Sequence, residues 1–76
     1  MAFENMNGGE RLITIPAQSI TVGGVGISSP DLEVGKGFGL VVLIIDGQPP
    51  VMLDVDKADI LVQAIKSAQA KIKGGR

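Results

Sequence analysis

The sequence contains neither cysteine nor histidine, and both absences narrow the chemistry open to these 76 residues. Without cysteine there is no disulfide, no thiolate nucleophile and no thiolate ligand for structural zinc. Without histidine there is no imidazole to move protons near neutral pH, and no histidine-based triad or metal site. We therefore expect a protein that is not an enzyme and that carries no cofactor and no metal.

Aromatic residues are also scarce, because Phe3 and Phe38 make up the whole 3%. With a net charge of −1, the chain has no overall attraction to a phosphate backbone, and two rings offer bases little to stack on. The N-terminus lacks the basic and apolar regions of a signal peptide, and the apolar stretch 38–45 falls far short of a membrane helix. We expect a cytoplasmic protein with neither nucleic acid nor membrane as a partner.

The most informative stretch is Leu40 to Ile45, which is six consecutive aliphatic residues. A strand with one wet face alternates apolar and polar residues, so this run needs cover on both faces. One helix can cover one face, and the other needs the N-terminal half of the chain or a second copy. A chain of this size buries only about 60–65% of its unfolded surface. We expect a homo-oligomer, a dimer or larger, and a protein partner.

The rest of the chain divides into a flexible N-terminal arm, residues 1–9, and a single domain, residues 10–76. Phe3 is the exception in the arm, because an ordered phenylalanine would dock on an apolar surface. Alternation of apolar residues predicts strands at 11–15, 19–22 and 51–55, with Arg11, Ile13 and Ile15 on one side of the first. The second strand should bend or bulge at its glycines. Residues 28–32 fit either a single helical turn or a β-turn.

The last element is a helix from Asp56 to Lys73, with Asp56 as its N-cap and Gly74-Gly75 as its stop. At 100° per residue its apolar side chains form one stripe, made up of Leu61, Ala64, Ile65, Ala68 and Ile72. The apolar face is wider than one contact requires, because Ile60 and Val62 flank this stripe. The helix either lies deep in its own groove or contacts a second subunit. The candidate interface residues from the whole sequence are Leu40, Val42, Ile44, Ile60, Val62 and Phe3.

These elements together predict an α+β fold. It consists of a small antiparallel β-sheet of four or five strands, with Leu40–Ile45 central and one C-terminal α-helix packed on it. The connection at 46–50 contains Asp46-Gly47, which is typical of an antiparallel hairpin.

Around this hairpin the order of elements is an aliphatic strand, Asp46-Gly47-Gln48, a short second strand, an acidic cap and an alanine-containing helix. Over residues 38–73 this order resembles small β-hairpin–helix proteins of actinobacteria and their tailed phages, most of which have unknown function. The resemblance implies an actinobacterial or phage source. A phage-encoded protein is expected in the host cytoplasm, and the interaction hypothesis given below expects a host or phage protein as its target.

Two patterns invite a chemical reading. Gly35-Lys36-Gly37 lacks the hydroxyl residue and the first glycine of a phosphate-binding loop, so turn or bulge glycines are favoured over anion binding. Asp54 and Asp56 stand close together, and an exposed strand-end carboxylate and a helix cap are favoured over weak binding of a divalent ion. The leading hypothesis is a non-enzymatic protein–protein interaction protein. The alternatives are a self-assembling structural or assembly subunit and a carboxylate-based metal-dependent hydrolase.

Overall fold

A computed structural model describes residues 3–75 of the chain. A 3₁₀ helix, Phe3–Asn5, comes first. The strands are β1 Glu10–Ile15, β2 Gln18–Val22, β3 Val25–Ser29, β4 Leu32–Gly37, β5 Leu40–Ile45 and β6 Val51–Leu53, and the helix α1 spans Val55–Gly75. The predicted α+β class, an antiparallel sheet with a C-terminal helix, is confirmed.

Four of the strands form one antiparallel sheet in the order β1-β4-β5-β6. β5 pairs with a strand on each side, which is the central position that its unbroken aliphatic run predicts. The predicted hairpin across residues 46–50 also forms. β6 ends at Leu53, however, so Val55 is the first residue of the helix and not the last residue of a strand.

β2 and β3 form a separate two-stranded sheet that continues the β1–β4 pair beyond a short break. Ile15 pairs with Leu32 before the break and Gln18 with Ser29 after it, so two residues of each strand lie unpaired between them. Each of these unpaired segments holds a proline, Pro16 or Pro30, which has no N–H to donate to a ladder. The ladder is interrupted there, but its register is kept.

A hydrogen bond to a side chain bridges the break, and two glycines form the turn between β2 and β3. The Ala17 N–H donates a hydrogen bond to the Asp31 carboxylate at 2.6 Å. Gly23 and Gly24 have φ values of +57° and +82°, the pair of positive angles that a two-residue type I′ turn requires. The predicted bend or bulge at these glycines is thus a hairpin turn. The helical turn considered for residues 28–32 does not form, because both strands pair on either side of the break.

The core lies on one face of the sheet, where Phe3 and Met6 cover Val42 and Ile44. The covering segment approaches closely because the strand beside β5 presents glycine there. A Cβ on Gly35 would lie 2.8 Å from a Phe3 ring carbon, and one on Gly37 would lie 2.7 Å from the Met6 sulfur. Residues 3–9 are therefore not an arm outside the core, although Phe3 docks on an apolar surface as expected. Met1 and Ala2 of the predicted arm lie outside the described residues.

A bulge in β1 changes which side chains share a face. Arg11 pairs with Gly35 and Ile13 with Val34, so Leu12 is an extra residue between them. Ile13 and Ile15 stay on one face as predicted, but Arg11 moves to the other. There its guanidinium Nη1 lies 3.7 Å from Oε1 of Glu33, which shares that face.

We predict that Gly35→Ala destabilises the fold by roughly 1–3 kcal/mol, the usual cost of overfilling a packed core. The new methyl group would collide with the Glu10 carbonyl oxygen and press on the Phe3 ring. Urea denaturation followed by circular dichroism, at one fixed protein concentration, measures the change.

The matched control is Gly26→Ala in β3, where an added Cβ meets nothing within 4 Å. It should leave the midpoint unchanged or raise it slightly, since alanine loses less backbone entropy on folding. Equal midpoints for the two variants would contradict the close packing of Phe3 on β4.

Candidate interaction surface

The β2–β3 hairpin, residues 18–29, is here called the ribbon, and it stands away from the rest of the subunit. Within residues 3–75 it contacts no other helix or strand, and all of its residues are exposed. Its only anchor among the side-chain hydrogen bonds of those residues is the one from Ala17 to Asp31 at its base. The ribbon therefore receives almost no packing energy from its own subunit.

The two sides of the ribbon differ in chemistry. Ile20 pairs with Ile27 and Val22 with Val25, and directly paired residues share a face. This apolar face of the ribbon is open, with side chains 47–62% exposed. The opposite face carries Ser19, Ser28 and Thr21. Such a division is typical of a strand pair with one face buried against another surface.

Charge is also missing from the ribbon. Residues 16–30 contain no charged side chain, although 20% of the whole chain is charged. Soluble proteins usually protect exposed edge strands with lysine or other charges, because a neutral edge pairs readily with other chains. An uncharged ribbon with an apolar face lacks that protection, as expected of a contact surface.

The second uncovered surface is the face of the main sheet opposite the core, here called the open face. Its apolar members are assigned from the strand register, since directly paired residues point the same way. They are Ile13, Ile15, Leu32, Val34, Val41, Leu43, Ile45, Val51 and Leu53. Ile13, Ile15 and Val51 are exposed and the others are half-buried, so none is fully covered.

The third surface belongs to α1, which contacts only β5 and β6 among the described strands. Ala58 and Leu61, near its start, are half-buried, and every described residue from Val62 to Gly74 is exposed. Ile65 is 51% exposed and Ile72 is 77% exposed. The helix therefore packs on the sheet through its first turns, and most of its apolar stripe is uncovered.

The predicted interface residues divide into two groups. Phe3, Val42 and Ile44 are buried in the subunit's own core, so they cannot form an interface without unfolding it. Leu40 is half-buried, whereas Ile60 and Val62 are 65% and 47% exposed. The two helix residues are thus the exposed members of the predicted interface.

Sequence reasoning missed the ribbon as a surface, although a signal was present. Two alternating segments flank Gly23-Gly24, which is the pattern of a tight hairpin. The absence of charge from residues 16–30 was a second signal. Together they indicate a neutral hairpin with one apolar face.

The acidic residues have structural roles or lie open to solvent. The Lys57 N–H donates to the Asp54 carboxylate at 2.8 Å, and the Ala58 N–H donates to the Asp54 carbonyl oxygen at 2.9 Å. Asp54, and not Asp56, is therefore the N-cap of α1, because the helix begins one residue earlier than predicted. In residues 3–75 no three acidic side chains are placed to hold a metal ion.

An open cleft of about 450 Å³ lies at the base of the ribbon. Its lining includes the carboxylates of Asp31, Glu33 and Asp46. Asp31 already accepts the hydrogen bond from Ala17, so its local role is to hold the break in the ladder.

No helix within residues 3–75 is both long and apolar enough to cross a membrane. Comparisons with protein-family models, with curated proteins and with solved structures gave no significant match. The function must therefore be inferred from the physical character of the surfaces described above.

We predict that Asp54→Ala lowers the free energy of unfolding by about 1 kcal/mol, the usual cost of losing a helix N-cap. Asp56→Ala should cost only a few tenths of a kcal/mol, since a carboxylate in the first turn interacts weakly with the helix dipole. Thermal unfolding followed by circular dichroism compares the two. A larger loss for Asp56→Ala would contradict the assignment of the cap.

Proposed function

We propose that this protein is not an enzyme and that it acts by binding protein, first of all other copies of itself, as a self-assembling structural or assembly subunit. The observation that carries the proposal is the amount of surface that one subunit leaves exposed. The accessible surface is 5886 Å² for a mass of 7.8 kDa. A compact monomer of that mass exposes about 4,400 Å². Each subunit thus has an excess of about 1,500 Å².

The dimensions support the same conclusion. The radius of gyration is 14.8 Å, against about 11 Å for a compact domain of this length. The subunit measures 43 × 26 × 17 Å. An unfolded chain of this mass exposes about 11,300 Å², so folding buries only about half of it, less than the 60–65% expected. The additional surface that this extended shape exposes includes apolar faces and is not made up of polar residues alone.

The size of the excess fits an interface between proteins. A standard interface buries about 800 Å² on each partner, and permanent interfaces bury more and are more apolar. An excess of about 1,500 Å² per subunit falls in the range of permanent homodimers. The uncovered side chains, which are mainly isoleucine, valine and leucine, have the composition of such an interface core.

The chemistry of the acidic residues gives the hydrolase alternative little support. Asp54 caps the start of α1, and Asp31 accepts the hydrogen bond from Ala17 at the base of the ribbon. A host or phage protein as an additional target stays a prediction.

We predict an assembly of at least two subunits at micromolar concentration, because burying the excess surface stabilises association. Size exclusion coupled to light scattering gives the mass directly, and a dilution series separates a permanent assembly from weak association. A mass of 7.8 kDa throughout the micromolar range would contradict the proposal.

A further inference from the structure

We propose that the ribbon is the element that joins one copy to the next, and that its apolar face packs on the open face of a second copy. The inference rests on the proposed self-assembly and names the surfaces that perform it. Three arguments support it. The ribbon is unstable without a partner, its apolar face matches the open face, and the alternative surface, the exposed part of α1, is charged.

The ribbon is not expected to be ordered without a partner. A two-stranded hairpin is at best marginally stable in water, and it needs a third strand or a packed face to persist. Within residues 3–75 no helix or strand supplies that face. Ordering the ribbon costs conformational entropy that only the burial of Ile20, Val22, Val25 and Ile27 can offset.

The open face of another copy fits the ribbon in chemistry and in size. Five-residue strands extend about 17 Å, and the six-residue strands β4 and β5 extend about 20 Å. Packed face to face, the apolar side chains of two such sheets interdigitate in a layer about 10 Å thick. Each copy offers one ribbon and one open face, so a reciprocal exchange covers the ribbon and two of the four strands of the open face on both copies. No third component is needed for this cover.

The exposed part of α1 is a weaker candidate for the same role. It carries Lys66, Lys71 and Lys73, whose charges stay hydrated, and a helix of 21 residues is long enough to keep part of its structure alone. The ribbon has no charge and too few residues to stand alone. Burying the ribbon in an interface therefore costs less free energy of desolvation than burying α1. It also stabilises the ribbon more than it would stabilise α1.

The test replaces the four apolar residues of the ribbon by threonine, as Ile20→Thr, Val22→Thr, Val25→Thr and Ile27→Thr. Threonine keeps the preference for strand structure but removes most of the apolar contact. We expect the dissociation constant of the assembly to rise at least about a hundredfold, because four side chains lose their apolar contacts. Light scattering and sedimentation equilibrium measure it on the full chain.

The control makes the matching change on the polar face, as Ser19→Thr and Ser28→Thr, and should leave the mass and the dissociation constant unchanged. Circular dichroism checks that the main sheet stays folded. If the fourfold variant fails to fold, the smaller pair Val22→Thr and Val25→Thr, which conserves side-chain volume, gives the readout with a rise of about tenfold or more.

The outcomes separate this inference from the proposed function. An assembly that keeps its mass and affinity after the fourfold change would overturn the role of the ribbon and leave self-assembly standing on another surface. A wild-type chain that is a monomer would overturn both. If the assembly of the ribbon variant dissociates and that of its control does not, the ribbon is supported as the element that joins the copies.

Discussion

β5 carries aliphatic side chains on both faces, and the subunit has material to cover only one of them. Phe3 and Met6 close the face that holds Val42 and Ile44, and glycines on β4 let them approach. The helix contacts β5 and β6 through its first turns only, and the apolar side chains of the open face are half-buried or exposed. The subunit is therefore short of apolar cover on one face of the sheet.

The same shortage connects the fold to the proposed function. A small domain that buries only about half of its unfolded surface has a narrow stability margin, so burial between copies would contribute a large part of the free energy of unfolding. In this account association is the step that completes the core. The proposed role of the ribbon is to provide the missing layer, and the broken ladder at Pro16 and Pro30 marks where the main sheet ends and the ribbon begins.

Much of the fold could be predicted from local patterns. The unbroken run in β5, the Asp46-Gly47 turn signal and the helix between Asp56 and Lys73 each follow from the residues themselves. The predicted stop at Gly74-Gly75 is wrong, because α1 continues through Gly75. The burial of Phe3 and Met6 could not be predicted, because it depends on two glycines of β4. These glycines lie about 30 residues further along the chain than the side chains that pack on them. The predicted interface was partly wrong because sequence alone does not show what covers an apolar residue. Val42 is apolar whether its own chain or another chain covers it.

The most direct test of this account is an isotope-filtered nuclear Overhauser experiment on a mixture of labelled and unlabelled chains. It detects only contacts between copies. The account predicts signals from the methyl groups of Ile20 and Ile27 to those of Val34 and Leu43 on another copy. Ribbon methyl groups that show no contact between copies, in a sample whose mass is that of an assembly, would contradict it.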